Sequence, residues 1–292
     1  MKRKKRLNKI IKHQYENIGL ESKGFGHPGM AFENLIFRQC RFSTLRMKDC
    51  LVTNCQITQC IIDEDSYLRH AVFKNVDFTG TIFRNCNLEK AKFIECNLRY
   101  VKFENCLLKV DNIMETSLPH ESNHRLEIYR QLYVNELGQG RTDYANRLLY
   151  LVREGERDLS LDILQGKTDY FKNERNGKVT IYLVKYISSS IGKMLWGYGL
   201  NIRRICFTML LWVTVFSILH FCFSFSNEQL LIVKCKNSIL LSFNSLLIGG
   251  IDILDENYKK SLLIQVVILI QNLIGVVYFA VLTSAIYRKV AR

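Results

Sequence analysis

The stretch Phe32-Glu33-Asn34-Leu35-Ile36-Phe37-Arg38-Gln39-Cys40-Arg41-Phe42 places phenylalanine at every fifth position, and the same step runs on to Leu108. A helix repeats apolar positions near 3.6 residues and a strand at 2, so neither produces this period. The series is Phe32, Phe37, Phe42, Met47, Val52, Ile57 and Ile62, then after a one-residue slip Leu68, Phe73, Phe78, Phe83, Leu88, Phe93, Leu98, Phe103 and Leu108. In a chain that is 48% hydrophobic, sixteen apolar residues at sixteen such positions would arise by chance at about one in 10⁵.

Two residues before most centres sits a smaller group: Cys40, Cys50, Cys55, Cys60, Ser66, Ala71, Val76, Thr81, Cys86, Ala91, Cys96, Val101 and Cys106. Residues two apart point the same way in extended chain, so each unit offers one large and one small inward side chain before a turn. Such a unit cannot bury its apolar side alone and must stack on copies of itself. The triplets Cys86-Asn87-Leu88, Cys96-Asn97-Leu98, Ala91-Lys92-Phe93 and Val76-Asp77-Phe78 resemble the A-(D/N)-L-x-x pattern of pentapeptide-repeat proteins. The resemblance implies a right-handed quadrilateral β-helix over residues 30–110, with four coils roughly 19 Å tall at one strand spacing per coil.

The 292 residues allow about two domains, and a mean hydropathy of -0.01 beside 23% charged residues requires that hydrophobicity be unevenly spread. Residues 206–227 and 261–287 contain no Lys, Arg, Asp or Glu, and each reaches the ~20 residues that cross a bilayer. The reading is therefore of two transmembrane helices, with the lipid bilayer as a partner. Seven of the ten cysteines fall in the small inward site. Their spacings of five and ten are those of the coil rather than of a C-x-x-C metal-ligand pair, so they read as compact buried hydrophobes and no cofactor or metal is expected. Cys235 has no evident partner.

The net charge of +14 begins in a basic arm, residues 1–29, where Lys2, Arg3, Lys4, Lys5, Arg6, Lys9 and Lys12 cluster. No apolar stretch follows it to make a signal peptide. In a membrane protein such an arm acts on topology or on anionic headgroups, and nucleic acid is the lesser reading. Residues 111–170 read as a helical hairpin: Leu126, Tyr129, Leu132 and Tyr133 make one stripe, Tyr144, Leu148, Leu151 and Val152 a second, with Gly138-Gln139-Gly140 between them. Tyr129-Arg130-Gln131-Leu132, Asp143-Tyr144-Ala145 and Arg153-Glu154 resemble a short tetratricopeptide-like linker found beside the membrane in pentapeptide-repeat channels. Residues 171–204 carry Lys185, Lys193, Trp196 and Tyr198 on an amphipathic stretch, the composition of an interfacial segment. Seven cations flank the spans outside, Lys185, Lys193, Arg203, Arg204, Arg288, Lys289 and Arg292, against Lys234, Lys236, Lys259 and Lys260 between them. That bias puts both termini, and the β-helix, in the cytoplasm.

Residues 205–292 thus hold two spans and a connector whose segment 238–253 is apolar enough to re-enter a membrane and too short to cross it. The module resembles the two-span pore of potassium-channel-like proteins: Ser242-Phe243 onward follows the pore helix and filter S-F-x-T-x-x-T-x-G-Y-G-D, and Gln271-Asn272-Leu273-Ile274-Gly275 opens the inner helix. Laid without gaps, Ser245 takes the pore-helix threonine and Ile248-Gly249-Gly250-Ile251-Asp252 takes T-V-G-Y-G. Ile248 lacks the filter hydroxyl and Asp252 replaces the second glycine, so the resemblance implies a homotetrameric pore for permeant cations with weak selectivity. Asp252 either rings the axis or faces the outer boundary with Asp255 and Glu256; Gly275 is either a gating hinge or a close-packing point. The β-helix would gate or assemble the channel, engaging a cytoplasmic protein or ligand. The alternative is a membrane-anchored scaffold that does not conduct. An enzyme is disfavoured: His13, His27, His70, His120, His124 and His220 form no spaced ligand set, and Gly24-Phe25-Gly26 lacks the rest of a phosphate fingerprint.

Overall fold

A computed structural model describes residues 14–17, 19–21, 28–223, 231–247 and 261–290. The chain divides into two compact units, Met1–Tyr186 and Ile187–Arg292. The basic cluster of residues 2–12 lies outside the described residues.

The first unit is a β-solenoid of about four turns followed by helices. Its strands are two or three residues long and every pairing is parallel. β3 (Ala31–Glu33), β6 (Leu51–Thr53), β9 (Val72–Lys74) and β12 (Lys92–Ile94) form one ladder. β2 (Gly19–Glu21), β5 (Arg41–Ser43), β8 (Ile61–Asp63), β10 (Ile82–Arg84) and β13 (Lys102–Glu104) form a second. β1 (Gln14–Glu16), β4 (Ile36–Arg38) and β7 (Gln56–Thr58) make a third, and β11 (Asn87–Leu88) with β14 (Leu107–Leu108) a fourth.

Register explains the fivefold period. Phe32 pairs with Val52, Val52 with Phe73, and Phe73 with Phe93, so each centre lies directly over the centre one turn away. All sixteen centres are buried. Phe73 stacks on Phe93 at 5.1 Å and Phe83 on Phe103 at 5.4 Å, between ring centroids. At each corner one residue takes the left-handed conformation, as at Asn34 (φ 56°), Asn54 (φ 52°), Asn75 (φ 51°), Asn85 (φ 51°) and Asn105 (φ 54°). Asparagine tolerates that region better than most L-residues, which accounts for its recurrence there. The one-residue slip is absorbed at a single corner, where Glu64 and Asp65 are both left-handed (φ 55° and 56°).

The solenoid also begins earlier than the sequence period suggests, inside the segment read as a basic arm. β1 pairs with β4 and β2 with β5, and Tyr15 stacks on Phe37 at 5.0 Å. Tyr15 lies 22 residues from its partner rather than 20, and that longer turn breaks the period before Phe32.

The small inward site does more than fill space. Backbone N–H groups there find the side chain one turn on: Leu35 N donates to Cys55 Sγ (3.4 Å), Cys40 N to Cys60 Sγ (3.4 Å), Leu45 N to Ser66 Oγ (3.0 Å) and Cys60 N to Thr81 Oγ1 (3.4 Å). The thiols in turn donate to carbonyls, Cys86 to Ile62 O at 3.2 Å and Cys106 to Phe83 O at 3.3 Å. Cys, Ser and Thr are thus small acceptors placed where a buried N–H would otherwise be orphaned. Burial pushes the Cys60 thiol up to about 12 and the Cys96 thiol up to about 11, which keeps both protonated.

The last turn has no further copy to stack on, and helices close it. α1 (Asp111–Met114), α2 (Ser122–Gly138) and α3 (Thr142–Gln165) contribute Ile113, Ile128, Leu132 and Leu148 to the same buried cluster as the coil. The inward-site pattern continues onto this cap: Cys96 N donates to Ser117 Oγ at 3.0 Å and Cys106 N to Asn135 Oδ1 at 2.7 Å, while Asn135 Nδ2 returns a bond to Cys106 O at 2.9 Å. Beside it Glu136 is fully buried, with Arg141 Nε 3.1 Å from its carboxylate. Burial raises the Glu136 carboxyl above its ordinary value, opposed by Arg141 and Asn135. α3 ends at Gly166, left-handed at φ 61°. α4 (Asp169–Arg175) is capped by Thr168, whose hydroxyl accepts from Phe171 N at 3.3 Å.

Two outcomes are expected. Asn135→Leu strands both polar groups of Cys106 and costs about 2 kcal/mol; pulsed alkylation in the full chain should then label Cys106 roughly thirtyfold faster through local opening, with Cys60 unchanged. Equal rates at Cys106 would show that the amide does not hold the cap. For Glu136, a raised folded pKa means that the folded state binds more protons above the ordinary carboxyl range, so its contribution is full below that range and lost as pH rises through the folded value. Glu136→Gln should therefore flatten the fall in thermal midpoint as pH rises above the ordinary carboxyl range, read by circular dichroism; an unchanged slope would assign the dependence elsewhere.

Candidate pore site

The unit boundary falls within α5 (Val179–Trp196). The second unit continues through a 3-10 turn (Gly197–Gly199) into α6 (Ile202–Phe223), α7 (Leu231–Leu247) and α8 (Leu262–Val290). α6 and α8 are long and apolar enough to cross a membrane, and α7 packs against both. α6 starts at Ile202 rather than at residue 206, so Arg203 and Arg204 lie in its first turn.

α7 meets its neighbours along Ser238, Ser242 and Ser245, which are fully or almost fully buried and spaced three to four residues apart on one helical face. From α8, Gln271 Nε2 donates to Ser242 Oγ at 3.0 Å and also to the Ser242 carbonyl. From α6, His220 Nε2 stands 3.0 Å from Gln271 Oε1, and with the amide turned this way His220 carries the hydrogen. Ser242 Oγ donates to Val213 O on α6 at 2.8 Å. One buried amide therefore ties three helices. A primary amide in apolar surroundings is costly unless its donors and acceptor are matched, so these bonds constrain the packing.

One turn beyond Gln271, Gly275 permits a close approach of α7 to α8. A Cβ at this position would collide with Leu246 O and lie 3.2 Å from Leu246 Cα. The final turn of α7 is thus seated on a side-chain-free patch of α8. Ser245 is buried there with its hydroxyl lacking a hydrogen-bond partner among the described residues. Farther along, Trp212 Nε1 donates to Tyr278 OH at 3.1 Å, and Trp196 meets the Tyr278 ring edge-on at 5.9 Å.

Of the residues singled out in the sequence, Gly275 meets Leu246 at the α7–α8 contact, and Ser245, which precedes Leu246 on α7, is buried. Ile248, Gly249, Gly250, Ile251 and Asp252 lie outside the described residues. The sequence reading does not join Gln271, Ser242 and His220 into one cluster; the structure does. Its signal was available: Gln271 stands four positions before Gly275, and Ser238, Ser242 and Ser245 repeat at helical spacing.

Gly275→Ala should force α7 and α8 apart, because the nearest obstacle is backbone that cannot rotate away, at a cost of about 1–3 kcal/mol. In detergent the thermal midpoint should fall, while exposed Val276→Ala leaves it unchanged. Equal midpoints would mean that this helix contact relaxes freely.

Residues 65–109 match the family model of pentapeptide repeats, in eight copies. Among solved structures the chain is similar to a pentapeptide repeat protein, Rfr23, from the cyanobacterium Cyanothece 51142, at 14% identity over 34% of this chain and 85% of that one, with a TM-score of 0.19. No curated protein matches the chain. The solenoid thus carries pentapeptide repeats, joined in one chain to two helices long and apolar enough to cross a membrane.

Proposed function

We propose that this chain forms a membrane ion channel: a homotetramer, weakly selective for cations, gated or assembled by a cytoplasmic pentapeptide-repeat domain whose coil is right-handed and four-sided. The observation that carries the reading is the seat of α7. Lys234 and Lys236 near its start leave residues 237–247 as the apolar part, roughly 16 Å at 1.5 Å per residue, about half of a bilayer core. A helix that short, pinned by Gln271 between two spans and closed against Gly275, is what a re-entrant pore helix requires.

The C-terminal end of α7 carries the negative end of the helix dipole toward the segment that follows it, an arrangement favourable to cations. In this proposal residues 248–252 form the constriction and Asp252 supplies a ring of carboxylates. Gly275 serves first as the packing contact, and a hinge there would have to part it from Leu246. α5 lies in the membrane interface on the same side as both termini, supported by its exposed Ile181, Val184, Ile187, Ile191 and Met194 beside Lys185 and Lys193. One observation favours a second reading, a membrane-anchored scaffold: Ile248 and Asp252 stand where a selective filter needs a hydroxyl and a glycine.

The test is current through planar bilayers containing the purified full-length protein. Cation current is expected in the parent, and Asp252→Asn should lower conductance and cation-over-anion preference, most at low ionic strength where screening is weak. An unchanged reversal potential in the variant would put Asp252 off the permeation path. A silent parent selects the scaffold.

A further inference from the structure

The turn before α6 gathers cations from three helices. Lys193 lies in the last turn of α5, Arg203 and Arg204 in the first turn of α6, and Arg288 and Lys289 in the last turn of α8. Arg204 Nη1 donates to Lys193 O at 2.9 Å, and its Cδ would lie 3.7 Å from a Cβ on Gly197. Arg288 Nη2 would lie 3.6 Å from a Cβ on Gly199. The Gly197–Gly199 turn is thus flanked by guanidinium groups of α6 and α8. Arg203, Arg204 and Lys289 are exposed.

No Asp or Glu occurs in residues 187–223, 231–247 or 261–290, the described part of this unit. The guanidinium of Arg288 bonds to Ser284, at 2.9 Å to Oγ and 3.3 Å to O, both neutral partners. Arg203 and Arg204 also sit at the positive end of the α6 dipole, where a cation is disfavoured and an anion is favoured. Trp196, at the same turn, holds a buried Nε1 donor with no hydrogen-bond partner among the described residues. Beside the cations the helices expose apolar side chains, Phe207 and Leu210 on α6 and Phe279 and Ile286 on α8.

We propose that this turn binds an anionic phospholipid, its headgroup phosphate held by Lys193, Arg203, Arg204, Arg288 and Lys289 and its acyl chains lying along Phe207, Leu210, Phe279 and Ile286. The apolar flank selects a lipid over a free anion, because inorganic phosphate leaves that surface uncovered. The proposal rests on the membrane reading and not on conduction.

The test uses the full chain in neutral maltoside micelles, titrated with phosphatidylglycerol, phosphatidylcholine or inorganic phosphate, with the thermal midpoint as readout. Phosphatidylglycerol should raise the midpoint saturably, and the other two should not. Arg203→Gln with Arg204→Gln, and separately Arg288→Gln with Lys289→Gln, should each weaken the phosphatidylglycerol response roughly thirtyfold, about fivefold per cation. Lys234→Gln with Lys236→Gln on α7 should leave it intact. Native mass spectrometry of the parent, which needs no variant to fold, should show phosphatidylglycerol retained over phosphatidylcholine. Equal retention of the two lipids, an equal response to inorganic phosphate, or full responses in both cation-pair variants would overturn the proposal. A chain that stays monodisperse in water without detergent would instead overturn the membrane reading beneath it.

Discussion

The solenoid depends on one constraint, the need of each inward-facing backbone N–H to find an acceptor inside the coil. At the small inward site the acceptor comes from the next turn, as a thiol at Cys55 and Cys60 or a hydroxyl at Ser66 and Thr81. Sulfur and oxygen there serve the same purpose, and alanine or valine suffices where the turn supplies its own carbonyl, as at Ala71, Ala91 and Val101. The stacked centres supply most of the apolar burial, but they could slide along one another. The inward hydrogen bonds hold the turns in register.

The same constraint explains how the coil ends. A parallel solenoid leaves an open edge that would accept another chain. Here the cap is an imitation of the repeat by helices: Ser117 answers Cys96, and Asn135 answers both polar groups of Cys106. Ile113, Ile128, Leu132 and Leu148 complete the apolar surface. The buried Glu136 with Arg141 sits against this seam, so the end of the coil carries its ionisable group where the repeat stops.

In the second unit the apolar surroundings make the polar groups decisive. Lipid-compatible side chains pack with little directional preference, so helices of this composition can rotate against one another. Gln271 removes that freedom by engaging Ser242 and His220, and Gly275 sets how closely α7 can approach. The charged residues sit at the ends of the helices, where Arg203, Arg204, Arg288 and Lys289 concentrate positive charge near one turn.

Whatever follows from a period or a run is legible in the order of residues. The fivefold step from Phe32 to Leu108 specified the solenoid and its buried centres, and the uncharged runs specified two long apolar helices. Matters that depend on partners far apart in the chain came from packing. Tyr15 joins the coil across a lengthened turn that erases its period, and Asn135 replaces a repeat residue from a helix with no repeat in it. Gln271 and Gly275 were visible as letters, but the group each meets, Ser242 and Leu246, lies 29 residues away on another helix. Periodicity records which face of an element is buried; which atom it is buried against is set by packing, and packing is absent from the order of residues.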